Sequence, residues 1–132
     1  MVKKYFKKII AQSPQDLQII SACCSGGKVK LNEIKFLPEN KIFLFSIERL
    51  SKEREDIETK VKSIIKFEYV QKSKSKNIDQ SNLNSFIELV AIDVFKKKLN
   101  YEIILLFLNN AFITLTAEII EVVLEDQNEI KN

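Results

Sequence analysis

The chain has 132 residues, 45% of them hydrophobic and 30% charged, with two glycines and two prolines, which is a globular composition and excludes a disordered chain. One domain over residues 1–132 is expected, burying roughly two-thirds of the unfolded surface, and the longest apolar run, residues 103–108, is far short of the ~20 residues a membrane-spanning helix needs. The net charge is +3 and there is no histidine, which removes imidazole bases, Ser-His and Cys-His nucleophiles and imidazole metal ligands.

Residues 5–10 are the first expected strand. Ser13-Pro14-Gln15-Asp16 then supplies an N-cap, a proline at the first helical position and an acid placed to close a capping box, so a helix is expected over residues 14–24. Leu17, Ile20 and Cys24 recur at helical spacing, Ile19 and Cys23 widen the stripe, and Gly26 stands where a left-handed stop is needed. From Lys28 the period changes to two. Val29 and Leu31 share one side of a short strand, Ile34 and Phe36 one side of its continuation, and Pro38-Glu39-Asn40 turns the chain into a strand over residues 42–50. There Ile42 and Leu44 lie on one face and Phe43, Phe45 and Ile47 on the other, a pattern that calls for burial on both sides.

Residues 51–60 carry dense mixed charge, with Lys52/Asp56 and Arg54/Glu58 at helix-pairing distance, and read as a surface loop with at most one helical turn. Over residues 61–71, Val61, Ser63, Ile65, Phe67 and Tyr69 share one strand face and Lys62, Ile64, Lys66 and Glu68 a largely solvated second. Residues 72–83 are polar and loop-like. Residues 86–95, 101–108 and 112–117 form an antiparallel meander with Asn109-Asn110 in its tight turn; in its last strand Ile113, Leu115 and Ala117 face inward and Phe112, Thr114 and Thr116 outward. Ile119, Ile120, Val123 and Leu124, with Glu121, Glu125 and Asp126 between, shift toward a helical period and predict a short closing helix. The expected fold is α+β and predominantly antiparallel β, with about seven strands in a bent sheet, a sandwich or a partly closed barrel, one N-terminal helix and one short C-terminal helix.

The basic N-terminus has no apolar core of signal-peptide length, and adjacent Cys23 and Cys24 cannot staple distant parts of the chain, so a cytoplasmic protein with reduced thiols is expected. Arginine stands only at 49 and 54, while Lys, Ile and Asn are abundant. That is the signature of an AT-rich coding sequence, and it discounts the mild basicity as a sign of an anionic partner.

Few residues carry chemistry. Cys23 and Cys24 read as core residues, and two thiols without a third soft ligand do not make a zinc site, so no metal or cofactor is expected. Ser25-Gly26-Gly27-Lys28 follows a helix and leads into a strand, the reverse of a phosphate-binding loop. Glu88 and Asp93 interrupt an apolar strand on opposite faces, which makes either a candidate for a low-dielectric carboxylic acid; the plainer reading is a solvated face and an acid paired with lysine. Lys72, Lys74 and Lys76 alternate with serines, so an extended backbone lines them along one edge about 7 Å apart, where they can meet phosphates or discourage edge-to-edge pairing. No residue is expected to be catalytic.

With the elements placed, the chain resembles a family of small bacterial proteins catalogued as domain of unknown function 2948. The matching residues are Asp16-Leu17 through Ile20-Ser21-Ala22, Val29-Lys30, Ile34 with Phe36-Leu37-Pro38, the strand over residues 41–49, residues 89–92, and residues 112–126 with their Leu124-Glu125-Asp126 ending. The chain departs from the family pattern at Ser25-Gly26 and at Asn109-Asn110. The resemblance implies no activity and no functional residue.

The exclusions point to a non-catalytic cytoplasmic module that binds a protein partner or self-associates through its sheet, with outward apolar residues such as Ile64 and Phe112 as the motive. The alternative is an apolar small-molecule site in an interior lined by Phe43, Phe45, Phe67, Ile103, Leu105 and Phe107. No membrane is expected as a partner, and nucleic acid is expected to bind weakly and without sequence preference at most.

Overall fold

The computed structural model describes residues 7–54 and 57–129. The start of the expected first strand and the expected pairings of Lys52 with Asp56 and Arg54 with Glu58 fall outside the residues and side chains described. One α-helix, α1 (Pro14–Cys24), stands where its capping signal placed it. The Ser13 hydroxyl accepts from the Asp16 amide at 3.1 Å and the Asp16 carboxylate accepts from the Gln12 amide at 3.2 Å, which secures the entry on both sides. Gly26, at φ +85°, closes the other end.

Ten strands, and not the expected seven or so, are found among the described residues: β1 (Lys8–Ala11), β2 (Lys28–Lys30), β3 (Lys35–Leu37), β4 (Ile42–Arg54), β5 (Ile57–Phe67), β6 (Val70–Lys76), β7 (Phe86–Lys97), β8 (Asn100–Phe107), β9 (Ala111–Ala117) and β10 (Val122–Glu129). They form one antiparallel sheet in the order β1-β10-β5-β4-β2-β7-β8-β9-β6, with β3 also paired to β4. Short β2 is the joint: it pairs with β4 through Lys28 and Glu48 and with the start of β7 through all three of its residues. The sheet bends there, and buried residues of both halves and of α1 meet in one cluster that includes Leu17, Ile20, Phe45, Ile65, Phe67, Leu89, Leu105 and Leu115. The end strands β1 and β6 do not pair with each other, so the sheet is not closed.

Three expectations are corrected. Residues 51–54 and 57–60 extend the β4-β5 ladder instead of forming a surface loop, because backbone pairing between adjacent strands needs no apolar side chains. Residues 72–76 belong to β6, which bonds to β9 along its length. No C-terminal helix is present among the described residues: β10 lies between β1 and β5, Val123 paired with Ile10 and Lys66, and two ladders satisfy its backbone. Val122, Leu124 and Asp126 turn inward there.

The expected strand over residues 61–71 breaks at Tyr69, which takes φ 60°. The Tyr69 carbonyl accepts from Glu118, and the next amide, of Val70, donates to Lys41. This corner carries the chain from β5 in one half of the sheet to β6 at the far edge of the other. The hairpin turn at Asn109 (φ 66°) and Asn110 (φ 58°) is as expected, since asparagine accepts left-handed backbone at little cost.

Candidate functional site

A bulge at Val90, between the pairs Leu89-Phe107 and Ala91-Leu106, shifts the parity of β7. Helix α1 and its exit loop hold it: Gly26 donates to the Leu89 carbonyl and Leu89 to that of Gly27, both at 2.8 Å, and the Ile92 amide donates to the Ser21 hydroxyl at 2.9 Å. Leu89 faces inward before the bulge and Ile92 after it. Glu88 and Asp93 therefore share the outer face instead of lying on opposite faces. Glu88 is half-buried and pairs with Lys28 at 3.3 Å, and Asp93 is exposed, so neither occupies a low-dielectric site.

Three cross-strand rows cover that outer face: Ala91, Leu106, Phe112 and Lys76; Asp93, Ile104, Thr114 and Lys74; Phe95, Glu102, Thr116 and Lys72. The three lysines of β6 are exposed in a line along the sheet edge, with the Lys76 ammonium 5.9 Å from the centre of the Phe112 ring. Lys96, Lys97 and Lys98 sit at the β7-β8 turn, where Lys97 pairs with Glu102; Lys7 and Lys8 lie at β1, the other end of the strand order.

Behind the lysines, between β6 and the segment from Leu31 to Phe36, lies a slot of about 270 Å³. Ser73 and Ser75 of β6 form one wall, and Leu31, Ile34 and Phe36 the other. Phe43 and Ile113 line it from the core side, and Ile78, Gln80 and Leu83 of the loop after β6 close one end. That loop is pinned by the amides of Leu31 and Asn32, which donate to Ser85 and Leu83. The sequence gives little sign of the slot, because an edge strand exposed on one face carries no apolar alternation.

The aromatic interior named for the small-molecule alternative is closely packed. Phe43, Phe45 and Phe67 stack and abut at centroid distances of 6.1–6.2 Å, and Ile103, Leu105 and Phe107 are buried. Cys24 is also buried, and burial pushes its thiol up to about 12 against the opposing pull of Arg49, which suits a core residue and not a nucleophile.

One polar cluster inside the fold went unrecognised. Arg49 continues the inward face of Phe43, Phe45 and Ile47, and its Nη2 donates to Asp126 Oδ1 at 2.7 Å while Nε donates to the Ser63 hydroxyl at 3.0 Å. Ser63 donates in turn to Asp126 Oδ1 at 2.7 Å, and the Lys7 amide to Oδ2 at 2.8 Å. Burial alone would raise the Asp126 carboxyl; the hydrogen bonds from Ser63, Arg49 and Lys7 outweigh it and hold the carboxyl below its ordinary range. The signal was present: an arginine two residues beyond a buried isoleucine on the same strand face requires a buried acid. Arg49, Ser63 and Asp126 are all buried, and the cluster ties β4, β5 and β10 together.

Among the described residues no group of three or more metal-ligating carboxylates or thiols forms, and no helix is long and apolar enough to cross a membrane. No curated protein and no solved structure matches the chain. A family model does, over residues 7–132, and the chain belongs to that family, described as Protein of unknown function (DUF2948).

Proposed function

We propose that the protein is a non-catalytic binding module of the cytoplasm, and that its site is the slot between β3 and β6, taking an apolar side chain from an extended segment of a protein partner. The observation that carries this reading is the edge at β6. Among the described residues β6 pairs on one side only, with β9, and its other side stands beside an apolar cavity, the combination used when a peptide adds to a sheet and seats one side chain in a pocket. The size supports a side chain over a free small molecule, because about 270 Å³ falls below the roughly 300–1,000 Å³ of drug-sized sites. Two free cysteines support a reducing compartment.

Selection of random displayed peptides on the immobilised protein tests this. Enriched peptides should carry a bulky apolar residue, shift the amide resonances of Ser73, Ser75 and Ile113, and lose binding in Ser73→Phe and Ser75→Phe, whose rings enter the slot. Absence of any enriched peptide, or binding undiminished in both variants, sinks the reading. Native mass spectrometry of the freshly purified protein addresses the small-molecule alternative, which requires a bound adduct.

A further inference from the structure

The outer face of the β7-β8-β9-β6 layer carries opposite charges, Asp93 and Lys74, at the two ends of one cross-strand row. Its centre is apolar, with Ile104, Leu106 and Phe112 all half-buried, its β6 edge is a row of lysines, and Asp93 stands on the β7 side of the same cross-strand row as Lys74. Glu102, the other acid on the face, is already engaged by Lys97.

We infer that this face binds a second copy of the chain, face to face, about a two-fold axis parallel to the strands. Two copies of one sheet face can be related by three perpendicular two-fold axes, and geometry and charge choose among them. An axis normal to the sheet leaves both faces pointing the same way and brings no face against a face. An axis in the sheet plane but across the strands lays each β6 over β6 of the other copy, with lysines opposed. The axis along the strands reverses left and right while keeping each row at its height, so Lys74 of each copy meets Asp93 of the other and Leu106 meets Phe112. Packed sheets depart from this alignment by about 30°, which leaves the central row in register.

The footprint sets the strength. Four strands about 4.8 Å apart and three rows about 7 Å apart cover roughly 400 Å² per copy, so the pair buries on the order of 800 Å², below the roughly 1,200 Å² of stable complexes. The association is therefore weak and concentration-dependent. It uses a face distinct from the slot and does not depend on the reading of the slot.

Sedimentation equilibrium of the native chain, Lys74→Glu, Asp93→Lys and an equimolar mixture of the two variants tests the geometry; both positions are exposed, and circular dichroism confirms that each variant folds. The native chain should show a monomer-dimer equilibrium, and each variant alone should associate at least about tenfold more weakly, because both of its contacts become like-charged. The mixture should regain native association, since both contacts of the mixed dimer pair opposite charges. A native chain that stays monomeric at its highest soluble concentration overturns the proposal, as do variants that associate like the native chain or a mixture that recovers nothing.

Discussion

Arg49 and Asp126, 77 positions apart in the sequence, meet at 2.7 Å with their side chains 2% and 0% exposed, and Ser63 bridges them. The pair joins the middle of the β4-β5 ladder to the last described strand and, through the Lys7 amide, to the chain just before β1. An ion pair this deep contributes little net stability, because desolvating both charges costs about as much as their attraction returns, yet losing one partner strands the other.

Asp126→Asn should accordingly destabilise the fold by about 3–5 kcal/mol, whereas the apolar double replacement Arg49→Met with Asp126→Leu should lie within about 1–2 kcal/mol of the native chain or above it. Urea unfolding curves check both. A single variant as stable as the native chain would mean that the buried pair is not closed in solution.

Acid sensitivity follows from the same carboxylate. Its folded-state pKa lies below its unfolded value, so its contribution is whole above roughly pH 4 and is lost as the pH falls through the depressed folded value. Between pH 7 and pH 3 the native chain should therefore lose more stability than the Arg49→Met, Asp126→Leu variant. Parallel losses would show that other groups govern the acid limb.

Gly27 has its own constraint. A Cβ there would stand 2.6 Å from Ile47 Cδ1 and 2.9 Å from the Cys24 carbonyl oxygen. Gly27→Ala should cost about 1–3 kcal/mol through overpacking. Adding Ile47→Val should not restore the loss, because a γ-carbon stays where Ile47 Cγ1 stands, 2.7 Å away, and the carbonyl oxygen remains. Full recovery in the double variant would place the whole clash in the flexible side chain.

Cys24 predicts an alkaline limb. Its thiol is raised to about 12 by burial, while an unfolded thiol ionises near 8.5, so stability falls by about 1.4 kcal/mol per pH unit between the two values. Cys24→Ala should lack that slope. In Cys23→Ser the remaining thiol should react with a disulfide reagent at pH 8 only as fast as the fold opens; rapid labelling of the folded protein would contradict its burial.

The sequence alone determined what is set within a few residues. The Ser13-Asp16 cap and Gly26 bound α1, Pro38-Glu39-Asn40 and Asn109-Asn110 turned their hairpins, and strict alternation assigned the faces of β9, because caps, left-handed backbone and period-two burial are local and leave a residue-type signature. Tertiary structure decided the rest. Residues 72–76 became a strand because β9 offered an edge, and residues 122–129 a strand, not a helix, because β1 and β5 flank them. The bulge at Val90 moved Glu88 and Asp93 to one face, and Arg49 found Asp126 only once β4, β5 and β10 were side by side. Hydrogen bonding between backbones is indifferent to side-chain identity, so pairing across the sheet can override or supply what local pattern leaves open.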